Sequence, residues 1–573
     1  MQVNGKQIPW TLIGALLVGA GVLVATAVLR GAEYDEGYTL LLAAGTPRPA
    51  WPSGIFAASE ARAVFAGHAG LAEIARDLRA TDVHPPLYFW AVAAWRWVAG
   101  PGLFGVRLLS VGFSVLALVV VAAIARCARI PPAGAVLLTV GCYGFAYTGA
   151  IARDFALAQV LLLVGVWLAV RGDGMAEVEM EVEAELVKTP PPLVGGGWGE
   201  GLERPGKSVR LWLRPLAPTS VRFAAQAHKG RGRPPPSSAS ALASGLCLGA
   251  ATLSNYLAVF VAGAVLLWLL PRPRALVATS VGFALFLPAD IWFYLGQHDS
   301  RPGQFPPFSL LGTLPRLAQY SGANLFGGLP LYVPHAAGVG VASFLALVIV
   351  GLVGLVAARW NRIGLPRPRL LLTLAALAPP VGLLLLGLAF NATPIELRYL
   401  AFATPFAGLP LAGALGSLPR RWCLGLGGAV LTLQAASLLG MMTRQETMQP
   451  ARATALAAAA LVDDGVVLLP RGNDGVGVVG AFINEAPDAM RLSIAEPTDT
   501  IYQLHAKVGT ARRVVLVLIG VDAASRATAE LLRAAFTDDP CWRPAGIGFN
   551  VRAFDSICEG DTDVLRRVHA ERN

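Results

Sequence analysis

The sequence predicts a mainly α fold, a polytopic transmembrane helix bundle of about eleven spans followed by a C-terminal external α/β domain. Three observations carry that expectation. Of the 573 residues, 55% are hydrophobic and only 14% charged, with a mean hydropathy of +0.57, far more apolar than a soluble chain needs. Residues 10–29, 103–124, 337–358 and 370–389 are apolar runs of about 20 residues, enough to cross roughly 30 Å of hydrocarbon as helix. Helix is the state that satisfies its own backbone there, and no barrel-type alternation is present. Finally, Arg126 and Arg129, Arg171, Arg272 and Arg274, Arg359 to Arg369, and Arg420 and Arg421 recur between spans as cytoplasmic connections should. That path places the N-terminus inside and the C-terminal tail outside. It also accounts for the formal charge of +10 without nucleic acid, since the cations follow topology rather than one face.

The elements follow in order. The first span reads as a signal anchor, because it is long for a cleaved h-region and Arg30 to Glu33 offers no small-residue cleavage site. Residues 31–86 form the first external loop, with an amphipathic stretch at 71–78. Residues 86–98 are apolar but short and contain Arg96, so they predict a helix lying on or dipping into the outer face; a full crossing here would invert every later loop. Spans follow at 104–124, 131–147 and 155–170. The insert 171–238, with a Glu-alternating run and then Pro- and Arg-rich sequence, predicts a largely disordered cytoplasmic loop. Spans at 239–252 and 257–270 are joined outside by Ser254-Asn255-Tyr256. A span at 276–294 leads to an external loop, 296–334, and four more spans complete a membrane module, 1–442. Residues 443–573 have ordinary mixed composition, with strands predicted at 466–469 and 514–519 and a helix at 523–536. This domain is expected to cap the mouth of the bundle and help select acceptors.

Cys127, Cys142, Cys247 and Cys423 lie in or beside apolar helices, as small hydrophobes do. Cys541 and Cys558 fall in the tail placed in an oxidising compartment and are the disulfide candidates. No spacing reads as a zinc site. Gly475-Val476-Gly477-Val478-Val479-Gly480 matches a dinucleotide pattern, but an outside domain meets no nicotinamide cofactor and no acid follows at the required place.

Ionisable residues gather at the outer ends of helices. Glu33-Tyr34-Asp35-Glu36-Gly37-Tyr38 opens the first loop, and Asp82-Val83-His84-Pro85-Pro86-Leu87-Tyr88 closes it. Tyr147 to Phe155 carries Arg153 and Asp154 between two spans, and Glu396-Leu397-Arg398-Tyr399 opens a later helix. Singly, such residues are ordinary flanks or snorkelling anchors. Together at one membrane level they read as functional.

These motifs resemble the GT-C type membrane glycosyltransferases, in the branch of protein O-mannosyltransferases and lipid A aminoarabinose or galacturonic acid transferases. The resemblance runs over 35–405 and rests most on Asp82-Val83-His84-Pro85-Pro86-Leu87-Tyr88, which looks like that branch's Asp-x-His-Pro-Pro-Leu-Tyr. Ile151 stands where the family often has Glu, and Asp154-Phe155 replaces its usual pairing with Tyr, which makes Asp154 the candidate substitute. The resemblance implies transfer of a hexosyl or pentosyl group from a polyprenyl-phosphate donor to a hydroxyl of lipid A, protein or envelope glycan. The setting would be a bacterial-type inner membrane, with inversion at the anomeric carbon. Asp35 and Glu36 are the catalytic candidates, Asp35 as base. The substrate-binding candidates are Asp82, His84, Tyr88, Arg153, Asp154, Tyr256, Arg398 and Tyr399, with the two arginines suited to the phosphate. No cofactor is required; if a divalent ion takes part, the acids and His84 are its candidate ligands. The competing reading is a transporter or flippase of lipid-linked or envelope substrates, which would place charges and broken helices at mid-membrane in two related halves. A membrane-anchored assembly protein would leave the first-loop motifs without a role.

Overall fold

Apolar length builds the bundle. The structure, a computed structural model, describes residues 2–3, 6–7, 9–48, 51–188, 238–297, 307–391, 395–444 and 450–558. Among the described residues, six helices are long and apolar enough to cross a bilayer alone: Trp10–Leu29, Leu103–Cys127, His335–Ala358, Pro366–Phe390, Leu397–Gly416 and Arg420–Thr443. Two bent pairs, Pro132–Gly141 with Tyr143–Ala150 and Pro273–Ala284 with Leu287–Gln297, raise this to eight if each is one span. The shorter apolar helices Phe155–Arg171, Ser238–Ser254 and Ala258–Leu269 lie where three further crossings are expected. The chain is a multi-pass membrane protein with a mainly α fold. Small residues let its helices approach closely: a Cβ on Gly245 would stand 2.0 Å from the Thr279 carbonyl oxygen of the facing helix.

Several local features differ from the sequence expectation. The span over 131–147 breaks by 72° at Cys142, whose backbone is extended between Gly141 and Gly144. Its second arm, Tyr143–Ala150, is buried throughout and ends at the Arg153-Asp154 loop. Inside the loop expected at 296–334 stands a helix, Leu310–Phe326, with Pro315 in its interior and capped by Ser309, whose hydroxyl accepts from the Gly312 amide. The helix beginning at Phe155 continues to Lys188, through the Glu-alternating part of the insert, while 189–237 lie outside the described residues. The amphipathic stretch forms Leu71–Thr81, and the short apolar segment forms Leu87–Ala99, of 13 residues.

Besides a short antiparallel pair, β1 (Gln2–Val3) and β2 (Lys6–Gln7), the described residues form one six-stranded sheet. Its strands are β3 (Phe56–Ala57), β4 (Val466–Pro470), β5 (Arg491–Ala495), β6 (Arg513–Val517), β7 (Trp542–Gly548) and β8 (Val551–Ser556), in the order β3-β5-β4-β6-β8-β7. β4 runs parallel to both β5 and β6 and is buried along its length, as the continuous Val-Val-Leu-Leu run demands of a strand covered on both faces. β3 is contributed by the first loop and pairs antiparallel with β5, Phe56 opposite Leu492. Arg62 strengthens the join, its guanidinium donating to the carbonyls of Ile483 and Ala486 and pairing with Asp488. The first loop and the C-terminal sheet are thus one packed unit.

Cys541 and Cys558 are disulfide-bonded across the β7-β8 hairpin, 17 residues apart. Cross-linking a loop of that length stabilises by about 3 kcal/mol. Cys558→Ser is therefore expected to lower hydrogen-exchange protection of 542–556 by roughly 10²-fold, the equilibrium equivalent of that energy. Unchanged protection would show that the hairpin holds without the bond.

Candidate active site

Asp35 and Glu36 begin the helix Glu36–Ala44, Asp35 at its N-cap, where exposed amides and the helix dipole favour negative charge. The two acids are used differently. Glu36 is 1% exposed and turned into the protein. Arg107, from Leu103–Cys127, grips it in a fork, Nε to Oε1 at 2.7 Å and Nη2 to Oε2 at 2.5 Å. The amides of Ala152 and Glu33 also donate to it, each at 2.8 Å. Arg107 spends its remaining donors on the carbonyls of Ala27, Arg30 and Gly31, so the guanidinium is saturated. Burial alone would raise Glu36; the pairing with Arg107 and the two amides outweigh it and hold the carboxyl below the usual carboxylate range.

Asp35 faces the other way. Arg398, in the turn of 3-10 helix Leu397–Ala403, pairs with its carboxylate, and donates from Nε to Glu396 at 2.7 Å. Both side chains keep some exposure, 8% for Asp35 and 19% for Arg398. Arg153 donates from Nη1 to the Asp35 carbonyl at 3.2 Å, while its buried Nε has no hydrogen-bond partner among the described residues.

The loop Ile151 to Asp154, delivered by the bent span, connects the cluster. Its residues Ala152, Arg153 and Asp154 meet Glu36, Asp35 and, through the Asp154 carboxylate, His84 in turn: Asp154 Oδ2 lies 2.9 Å from His84 Nδ1 and accepts from Asn255 Nδ2 at 3.0 Å. Pro85 and Pro86 supply no backbone donor and restrict the chain, so His84 enters Leu87–Ala99 along a fixed path. The structure therefore brings Asp35, Glu36, His84, Arg153, Asp154 and Arg398 together, with Tyr399 under the Arg398 guanidinium. Tyr88 is fully buried and its hydroxyl meets Ser110 Oγ at 2.9 Å. Asp82 pairs instead with Arg48 at 3.3 Å. Tyr256 donates to Gln297, whose amide donates to the His84 carbonyl, one residue removed from the cluster.

Three participants lay outside the sequence assignment. Arg107 had a signal, being an arginine within an apolar span. Glu33, in the first motif but given no role, accepts from Tyr147 and pairs with Arg30, both at 2.6 Å. Asn255 had none beyond its place at a helix junction. As to metal, guanidinium groups occupy Asp35 and Glu36, Asp154 meets His84 and Asn255, and among the described residues no group of three or more His, Cys, Asp or Glu side chains is gathered to hold an ion.

The C-terminal sheet reaches the same place. Tyr34, beside Asp35, donates from its hydroxyl to Asp474 and lies 3.1 Å from Asp522. Burial, followed by these two carboxylates, pushes the phenol well above its ordinary value and keeps it protonated. A cavity of about 260 Å³ lies at the carboxyl ends of β4 and β5, walled by Trp51, Arg471, Glu496 and Lys507 among others; Asp35 is not in its wall.

By sequence, no protein-family model and no curated protein matches the chain. Among solved structures it is similar to ArnT from Cupriavidus metallidurans bound to undecaprenyl phosphate, with 13% identity, coverage of 96% of this chain and 99% of that one, and a TM-score of 0.46. For ArnT in the apo state the figures are 14%, 95%, 97% and 0.48. The S. cerevisiae protein O-mannosyltransferase Pmt1-Pmt2 complex bound to the sugar donor is similar at 12% identity over 51% of this chain and 32% of that one, with a TM-score of 0.27.

Proposed function

We propose that the protein is a GT-C type membrane glycosyltransferase that moves a sugar from a polyprenyl-phosphate donor to a hydroxyl acceptor. The reaction would take place at the outer face of a bacterial-type inner membrane. One observation carries the reading: of the acids in the first motif, Asp35 is the one paired with a partly exposed guanidinium, Arg398, which a phosphate can claim, whereas Arg30 and Arg107 on Glu33 and Glu36 are buried.

On this reading Arg398 exchanges Asp35 for the donor phosphate, with Arg153 alongside. Asp35, released, takes the proton of the acceptor hydroxyl. The acceptor oxygen bonds to the anomeric carbon as the bond from that carbon to the phosphate oxygen breaks. The electron pair leaves on the phosphate, where the arginines offset the charge. Attack opposite the leaving group inverts the centre. Glu36 serves as the buried strut that fixes Asp35, and His84, held by Asp154, orients sugar or acceptor. Tyr88, Asp82 and Tyr256 support these groups from behind.

The test is turnover in proteoliposomes supplied with polyprenyl phosphates carrying aminoarabinose, galacturonic acid or mannose, with release of free polyprenyl phosphate measured. Arg398→Gln is expected to weaken donor affinity about 10- to 100-fold, the loss of one charge-assisted hydrogen bond. No turnover with any lipid donor would sink the reading. The acceptor, whether lipid A, protein or envelope glycan, is to be identified by mass spectrometry of the product.

A further inference from the structure

The glycine pattern Gly475-Val476-Gly477-Val478-Val479-Gly480 has no role in the transfer chemistry, yet it sits where an open α/β sheet ordinarily binds a ligand. That place is the crevice outside the carboxyl ends of the strands, where connections depart in opposite directions. Here the chain leaves β4 for β5 on one side and then crosses to β6 on the other, so the crevice lies between the ends of β4 and β6. Asp474 follows β4 and Asp522 follows β6.

The crevice is filled from within the chain, by Tyr34. Its hydroxyl meets both carboxylates. A Cβ on Gly477 would stand 2.2 Å from the phenol ring, so only glycine leaves room for the ring. A Cβ on Gly480 would touch the Cα of Gly37 at 3.5 Å, which brings the helix Gly477–Glu485 onto the start of Glu36–Ala44. The two acids are braced in advance. Asp474 accepts from the amides of Val476 and Gly477 at 2.8 and 3.0 Å. Asp522 accepts from those of Ser525 and Asn473 at 2.7 and 3.1 Å. Trp51 closes the side, its indole donating to the Gly475 carbonyl at 2.6 Å.

We infer that the C-terminal sheet uses its ligand crevice to hold Tyr34, and that Tyr34 is thereby the positioning residue for Asp35. The inference rests on the proposed role of Asp35 as base. The glycines that admit a pyrophosphate in a nucleotide fold here admit a side chain of the first loop. The sheet contributes no reacting atom; it fixes the backbone one residue before the base, and a displacement of about 1 Å there can cost on the order of 10²-fold in rate.

The test uses the full-length protein in nanodiscs. Tyr34→Ala is expected to lower kcat about 10²-fold while donor Kd stays within about twofold, because Arg398 and Arg153 still meet the phosphate. Tyr34→Phe, which keeps the ring and loses the hydroxyl, is expected to fall between Tyr34→Ala and wild type. Asp474→Asn, which keeps an acceptor oxygen, should retain more kcat than Asp474→Ala. A second readout needs no turnover: hydrogen exchange in 31–40 should rise in Tyr34→Ala and stay at the wild-type rate in 87–99. Full kcat in Tyr34→Ala with Asp35→Asn inactive would overturn the inference and leave the transfer reading standing. Turnover in Asp35→Asn would remove the base and the positioning role with it. Unchanged exchange in 31–40 would overturn the docking itself.

Discussion

Replacing Asp35 with asparagine is expected, on the proposed reading, to lower sugar transfer by about 10²- to 10⁴-fold, the range that a positioned general base supplies, without loosening donor binding. The two halves of that result have different causes. Asparagine keeps the shape of the side chain, and because Asp35 makes no side-chain capping bond at the start of Glu36–Ala44, no cap is lost and the local fold survives. It cannot accept the acceptor's proton, so kcat falls. Arg398, freed of Asp35 but still bonded to Glu396, meets the donor phosphate with one counter-ion fewer to give up, so donor Kd should stay level or tighten. A residue that merely bound the donor would show the opposite split, with Kd weakened and kcat kept. Measuring phosphate-lipid release at saturating donor together with equilibrium binding of the same donor separates the two, and unchanged turnover would end the assignment. Glu36→Gln is the companion. It disturbs a saturated ion pair rather than a reachable base, so its loss should appear in stability as well as rate.

What could be read from the sequence was what depends on local composition. Apolar length announced the bundle, since a bilayer demands about 20 residues whatever the neighbours do. The motifs at helix ends announced Asp35, His84, Arg153 and Arg398, because ionisable residues at one membrane level are costly and seldom idle. What stayed hidden depends on distant partners. Nothing around Tyr34 reveals Asp474 and Asp522, 440 and 488 residues away. β3 is two residues long, too short for alternation to show, yet it ties the first loop to the sheet. The glycine pattern after β4 was visible, and a dinucleotide was excluded for it; the ring that fills the crevice came from the other end of the chain. The 72° break at Cys142 was masked by unbroken hydropathy, although it delivers Arg153 and Asp154. Arg107 was overlooked for the same reason, sitting in a run otherwise apolar enough to be taken whole.

Arg107 is where the largest loss of stability is expected. Arg107→Leu removes both arms of the fork on Glu36 and abandons the carbonyls of Ala27, Arg30 and Gly31. Breaking a buried pair from one side costs about 3–5 kcal/mol, because the remaining charge is left without compensation. The pH dependence gives the mechanism a sign. In the wild type the Glu36 carboxyl is held below its ordinary range, so its contribution is fully present above the unfolded value and is lost as pH falls through the folded one. In Arg107→Leu only burial remains as the dominant influence, which raises the carboxyl. Its contribution is then greatest below the unfolded value and disappears as pH rises through the folded one. Between wild type and variant, the acid-side slope of stability should therefore reverse. Thermal unfolding in detergent across the range from about pH 2 to 7, which spans both sides of the ordinary carboxylate value, measures it. Arg107→Leu with Glu36→Gln should recover part of the loss, since the stranded charge is gone. Equal slopes in wild type and Arg107→Leu would mean that Glu36 is not the group that Arg107 neutralises.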